Sequence, residues 1–217
     1  MFLDLDGCLV DSTKAIPRCL NEALAALGLP RRATADLVRF IGPPLTENVA
    51  ILLAEAGADP ELASQLIHRY RDCYTEIAPA ETTVIPGIPD ALERLAGQTR
   101  LAVVTSKPGP FARPILGATG LAGYFVAVHA PELDEQAEAK ADTLARALAD
   151  VVPDAPPART AMVGDRSHDV VAGRACGTRT VGVTWGAGDR PELEAAGADH
   201  LVDTPAELAD LLDGHHA

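Results

Sequence analysis

The chain has 217 residues, 47% of them hydrophobic and 23% charged, with a formal net charge of −13. That balance suits a globular protein of one or two domains and excludes a disordered chain or a fibrous repeat. The negative charge argues against nucleic acid as a partner, because phosphate backbones are held by basic faces, and no apolar run is long enough to cross a bilayer.

From the N-terminus, Met1 to Leu5 is a short apolar run that breaks at Asp6-Gly7, so it reads as a buried strand ending in a turn. Ile16, Cys19, Leu20, Ala23, Leu24 and Leu27 then fall on one helical stripe, with Ser12 as the expected cap and Gly28-Leu29-Pro30 as the stop. Helical spacing continues over Thr34 to Phe40, Leu45 to Gly57 and Pro60 to about Thr75, and Ala78-Pro79-Ala80-Glu81 reads as a return linker. Beyond it the texture changes. A helix from Gly87 to Ala96 precedes a strand over Leu101 to Val104, then a helix from Phe111 to Gly117 and a strand from Tyr124 to His129. A helix over about Ala137 to Val151 and a Pro-rich loop lead to a strand at Thr160 to Val163. After Gly164-Asp165 come a helix to Cys176, a strand at Thr180 to Val183 and a last strand and helix between His200 and Leu212. Strands alternating with helices predict an α/β fold with a parallel sheet covered on both faces. The expected division is a core domain of residues 1–12 and 81–217 interrupted by an all-α insertion at 13–80. Two acids among the first six residues do not fit a secretory signal, and the four scattered cysteines have no zinc-like spacing and fit a reduced thiol set, so the expected location is the cytoplasm. His215 and His216 carry no functional weight.

In a parallel sheet, ligands sit outside the carboxyl ends of the strands. Those ends deliver Asp4 and Asp6, then Thr105 and Ser106, then Asp165 in Gly164-Asp165-Arg166-Ser167-His168-Asp169. Asp4 and Asp6 share a face of their strand, since side chains alternate with period two. An ionised carboxylate at the end of a core strand needs a cation or donors to offset several kcal/mol of desolvation. Oxygen-rich side chains at one sheet edge suit a hard cation such as Mg²⁺ together with a phosphate. Simpler roles remain open at this point: Thr105-Ser106 as a helix cap, Asp165 and Asp169 as capping or solvated acids, Lys140 as an exposed ion-pair residue. Lys140 is one of three lysines, and it sits near a helix N-terminus, where the dipole disfavours a cation.

The run Asp4-Leu5-Asp6-Gly7-Cys8-Leu9-Val10-Asp11-Ser12 closely resembles the first signature of the haloacid dehalogenase superfamily, which usually carries Thr where this chain has Cys8. The family's strand lead-in is also usually longer. Thr105, Lys140 and Gly164-Asp165 through Asp169 match the later signatures in order, with Lys107 a weaker rival for the lysine role. Ile41-Gly42-Pro43-Pro44-Leu45 and Thr184-Trp185-Gly186-Ala187-Gly188 resemble the phosphoglycolate-phosphatase-like branch. The resemblance covers essentially the whole chain and implies a Rossmann-like core with an inserted α-helical cap. It also implies Mg²⁺-dependent hydrolysis of a small phosphorylated metabolite, by a monomer or homodimer. Asp4 is then the nucleophile and Asp6 the acid and base, with Thr105 and Lys140 completing the catalytic set. Asp4, Asp165 and the carbonyl of Asp6 hold the metal, Asp169 supports them, and Ser106, Gly42, Pro43 and Arg39 contact substrate. Asp6 argues against a dehalogenase, which lacks the second acid, and the lack of lysine inside the insertion argues against phosphonate hydrolysis. A sugar-phosphate mutase and a non-catalytic binding protein on the same scaffold stay open.

Overall fold

A computed structural model describes residues 1–133 and 138–213. Six strands form one fully parallel sheet in the order β5-β4-β1-β6-β7-β8, where β1 is Phe2–Leu3, β4 Ala102–Val104, β5 Ala127–His129, β6 Ala161–Gly164, β7 Arg179–Val183 and β8 His200–Val202. The central strands are short and aliphatic because both faces are covered. Alternation sends Leu3, Val103 and Val163 into the larger core cluster, while Phe2, Ala102, Val104 and Met162 meet Leu144, Ala147 and Val151 on the opposite face. The latter three belong to helix α7 (Lys140–Val151). β1 lies between β4 and β6, so the chain leaves it in one direction toward β5 and returns on the other side toward β8. Its carboxyl end therefore opens onto the switch point of the sheet, where a crevice forms.

Residues 15–81 are helical between two paired strands: β2 (Val10–Asp11) and β3 (Thr83–Val84) form a separate antiparallel ribbon absent from the sequence expectation. Helices α1 (Ala15–Ala26), α2 (Thr34–Leu37), α3 (Leu45–Ala56) and α4 (Ala63–Glu81) lie between them. α4 buries Leu66, Tyr70, Tyr74 and Ala78 at successive four-residue steps. Ala78 to Glu81 is helix rather than linker, and α4 runs through Pro79. The carbonyl that Pro79 leaves without a donor belongs to exposed Thr75, so the missing bond faces outward. Ser12 does not cap α1 with its side chain; its hydroxyl is engaged elsewhere. The remaining helices of the core are α5 (Ile88–Ala96), α6 (Gly109–Ala118), α8 (Ser167–Ala175), α9 (Arg190–Ala196) and α10 (Pro205–Asp213). α9 was not expected, although Asp189 caps it by accepting the Glu192 N–H at 2.8 Å and Pro191 sits in its first turn, both readable signals. The expected start of α7 at Ala137 lies outside the described residues. Among the described residues no helix is long and apolar enough to cross a membrane.

Candidate active site

The end of β1 is fixed before any side chain is considered. The Asp4 N–H donates to the Val163 carbonyl at 2.9 Å, tying the strand to β6, and the N–H groups of Leu9 and Val10 return to the Leu5 carbonyl at 2.9 and 3.0 Å. Gly7 turns the chain with φ +79°, and a Cβ there would lie 2.2 Å from Asp165 Oδ2. Gly186 is under the same constraint, since its Cβ would lie 2.3 Å from that oxygen. Two loops thus approach Asp165 more closely than any side chain permits. Cys8, fully buried beneath the turn, packs with its sulfur 3.9 Å from the Val163 carbonyl, and burial pushes its thiol pKa well up. It fills the position as a small apolar residue.

Asp4, Asp165 and Asp169 are 3%, 0% and 1% exposed, and one oxygen from each lies within 4.8 Å of the others. Lys140 Nζ reaches into this group, 2.8 Å from Asp4 Oδ1 and in direct contact with Asp169 Oδ1. Lys140 is the first residue of α7, and these two carboxylates hold a buried ammonium there against the helix dipole. Burial alone would lower its pKa, but Asp169 and Asp4 outweigh that and raise it. Asp169 spends its other oxygen as a cap, accepting the Arg166 N–H at 3.1 Å, so its structural and site roles coexist. Asp165 Oδ2 accepts the Ala187 N–H at 2.7 Å, while its Oδ1 is buried without a partner.

Three carboxylates against one ammonium leave an excess of two negative charges in a buried space. Burial, reinforced by Asp169 and Asp4, pushes Asp165 up to about 8. Burial also raises Asp4, opposed by Lys140, to about 6. A hard divalent cation bound by oxygen fits this donor set, and the orphaned Asp165 Oδ1 is the atom that most needs one. The metal-free consequence has a definite sign. Where the folded pKa lies above the ordinary carboxylate value, stability is full at low pH and is lost as pH rises through the folded value. Metal-free protein is therefore expected to melt several degrees lower at about pH 8.5 than at about pH 5, and added Mg²⁺ should narrow the gap. Thermal melts in chelator and in Mg²⁺ check this; a pH-independent melting temperature in chelator would contradict it.

Asp6 faces a different set of partners. Ser12 Oγ donates to its Oδ1 at 2.5 Å and Lys107 Nζ lies 2.8 Å from its Oδ2, so its carboxylate is held on both sides and only its carbonyl is left for a metal. Lys107 in turn contacts the Tyr74 hydroxyl and sits 4.5 Å above that ring. Burial pushes the Lys107 pKa down, but Asp6 and Tyr74 together carry it up. The two lysines are thus divided between the two acids: Lys140 serves Asp4, and the rival Lys107 serves Asp6. Thr105 is 2% exposed at the end of β4, its N–H bonded to the His129 carbonyl at 3.1 Å and its Oγ1 accepting the Lys107 N–H at 3.1 Å. That hydroxyl bond makes it a local cap as well.

Ser106, Gly42 and Pro43 line a cavity with Asp6 and Lys107 between the helices and the sheet edge. Arg39 does not join them. Its guanidinium bonds both oxygens of Glu55 at 2.6 and 2.7 Å and packs on the Phe40 ring, on a separate surface groove. A salt-bridge partner one helix away outcompeted the cavity for it. Sequence reading missed Ser12 and Tyr74, whose roles depend on contacts across the fold. It also missed Arg166, which donates to the Ile41 carbonyl at 2.6 Å and pairs with Glu192 at 3.1 Å, linking the Asp165 loop to the helical segment.

Comparison with known proteins adds an independent line. Residues 1–183 match the family model described as haloacid dehalogenase-like hydrolase. A 5'-nucleotidase of Pseudomonas aeruginosa is 35% identical over 99% of this chain and 96% of its own length. A plasmid-encoded phosphoglycolate phosphatase of Cupriavidus necator is 34% identical over 98% of this chain and 92% of its own. Among solved structures, protein tyrosine kinase A of Mycobacterium tuberculosis superposes with a TM-score of 0.82 at 35% identity, covering 97% of this chain and 96% of that one.

Proposed function

The chain belongs to the haloacid dehalogenase-like hydrolase family, and from that premise we propose that it is a Mg²⁺-dependent phosphatase acting on small phosphate monoesters through an aspartyl-phosphate. The observation that carries this reading is the division of labour just after β1: Asp4 lies beside Lys140 and the Asp165/Asp169 pair, while Asp6, two positions further on, is held by Ser12 and Lys107. Phosphatase and nucleotidase relatives at similar identity support the reaction class.

Asp4 attacks phosphorus with a carboxylate oxygen, the ester P–O bond breaks, and Asp6 delivers a proton to the departing oxygen. The second half reverses the roles. Asp6, now ionised, takes a proton from water as the water oxygen bonds to phosphorus, the Asp4–phosphorus bond breaks, and inorganic phosphate and the free carboxylate are released. Lys140 offsets charge on Asp4 and on the equatorial phosphoryl oxygens, and the Thr105 hydroxyl and neighbouring backbone N–H groups hold those oxygens. Asp4, Asp165 and the Asp6 carbonyl would hold Mg²⁺, with Asp169 orienting them; when bound, the ion neutralises phosphate charge and aligns the ester with Asp4. The helices of residues 13–80 act as a cap over the site and keep bulk water from the phosphoryl-enzyme.

Phosphate release from a panel of esters, in Mg²⁺ and in chelator, tests the reading. Metal-dependent release is expected. Its absence from every ester would defeat the proposal. Transfer of phosphate from labelled ATP to tyrosine, the activity named for the Mycobacterium tuberculosis neighbour, is measured in the same series, and isomerisation of a sugar phosphate that needs a sugar bisphosphate and yields no inorganic phosphate would mark a mutase.

A further inference from the structure

Arg166 follows Asp165 in the chain and has no function in the reaction just described. Its main chain is tied to the carboxylate cluster. Its own N–H is given to Asp169 Oδ2 at 3.1 Å, and the next N–H, that of Ser167, to Glu192 Oε1 at 2.8 Å. The side chain, 15% exposed, then leaves the cluster and crosses to the helical segment. Its Nε donates to the two oxygens of Glu192 at 3.1 and 3.2 Å, and its Nη1 donates to the Ile41 carbonyl at 2.6 Å. A staple for α9 would need only Glu192. The bond to Ile41, from a charged donor and therefore one of the stronger kind, joins residue 166 of the core to the loop that leads into α3.

That loop is arranged to receive it. Asn48 of α3 is 4% exposed and donates from Nδ2 to the Phe40 carbonyl at 2.8 Å and to the Pro43 carbonyl at 3.3 Å. The Ile41 carbonyl, between those two in sequence, goes to Arg166 instead. Gly42 follows with φ +102°, and a Cβ there would lie 3.0 Å from Arg166 Cγ, while a Cβ on Gly188 would lie 3.0 Å from Arg166 Cδ. The arginine stem therefore packs on two glycines, and a side chain at either would crowd it. Gly42, Pro43 and Pro44 line the cavity that holds Asp6 and Lys107. Two successive prolines stiffen this stretch, so a hold on Ile41 is passed on to the cavity wall.

We propose that Arg166 is a positioning residue: it latches the loop of residues 41–44 to the segment that carries Asp165 and Asp169, so that the cavity wall and the carboxylate cluster are set by one side chain. The inference deepens the phosphatase reading above, and its kinetic part rests on that reading. Without the latch the loop is released from the core, and only those molecules in which it lies in place bind substrate well; apparent affinity falls by that fraction. Once substrate has drawn the loop back, Asp4 and Lys140 act as before. Arg166→Met is therefore expected to raise KM about tenfold, the factor for one hydrogen bond from a charged donor, and to leave kcat within about twofold.

The test pairs hydrogen exchange, read peptide by peptide in a mass spectrometer, with phosphate release, on wild type, Arg166→Met and Arg166→Lys. Arg166→Met should speed exchange of the amides in residues 38–48 about tenfold, while α1, α4 and the sheet exchange as in wild type. Arg166→Lys should recover part of both effects, because an ammonium can reach Glu192 or Ile41 but lacks the fork that bonds the two together. Unchanged exchange over 38–48 in Arg166→Met would overturn the latch. Faster exchange spread evenly through the chain would overturn it too, since the arginine would then be a general staple. A fall in kcat at unchanged KM would rule out positioning through the loop. Exchange needs no turnover, so if no ester is hydrolysed the phosphatase reading falls by itself and the exchange result alone decides the latch.

Discussion

Asp4→Asn is expected to lower phosphate release by about four orders of magnitude or more, the scale of loss seen when a covalent nucleophile is removed. Asn matches Asp in shape, and its amide oxygen can still accept from Lys140, which lies 2.8 Å from Asp4 Oδ1. What it lacks is the charge that attacks phosphorus. The same substitution should not weaken the fold in chelator. Burial holds the Asp4 carboxyl up to about 6, so at neutral pH its ionised form is a cost that Asn removes, and the metal-free variant should melt at or above the wild-type temperature. Activity and stability therefore move in opposite directions. Residual turnover near wild type would defeat the nucleophile assignment; a lowered melting temperature in chelator would show that Asp4 is structural and not strained by its surroundings.

The sheet was legible because its strands are aliphatic runs bounded by turn residues, a period that short sequence windows carry. Asp4 and Asp165 were legible for a related reason: a carboxylate directly after a buried strand violates the pattern around it, and Lys140 at the start of α7 violates the dipole preference in the same way. Contacts between distant segments were not legible. Ser12 read as a helix cap because Ser before a helix usually is one, but its hydroxyl lies on Asp6, which the turn at Gly7 brings back beside it. The sequence favours Lys140 over Lys107 for Asp4, but what occupies Lys107 was not readable in it, because that depends on α4 placing Tyr74 beside it and on Asp6 facing it. Arg39 read as a substrate contact from its neighbours in sequence, and Glu55, sixteen residues away, claimed it. Gly186 was noted only as part of a pattern; that it must lack a side chain follows from Asp165 lying against it, a fact of two loops meeting.

Lys140→Met is expected to reduce kcat by about two to three orders of magnitude, the range for losing one preorganised charge at a transition state. It should also destabilise the metal-free protein by roughly 3–5 kcal/mol, the cost of stranding buried partners of a broken ion pair. Met keeps the length and apolar stem of lysine, so packing is nearly preserved and the missing ammonium is what changes. The stranded partners are Asp4 and Asp169, and without the ammonium the three carboxylates of the cluster share a buried space with no fixed cation. Lys107 cannot take over, because it is engaged by Asp6 and Tyr74. Added Mg²⁺ supplies positive charge to the same carboxylates, so it should restore much of the lost melting temperature. It should not restore kcat, because a cation placed for Asp165 does not stand where the ammonium stood, between Asp4 and Asp169. Melts with and without Mg²⁺, run beside turnover, separate the two effects. Recovery of both together would reduce Lys140 to a source of charge, and recovery of stability alone would mark it as a catalytic group.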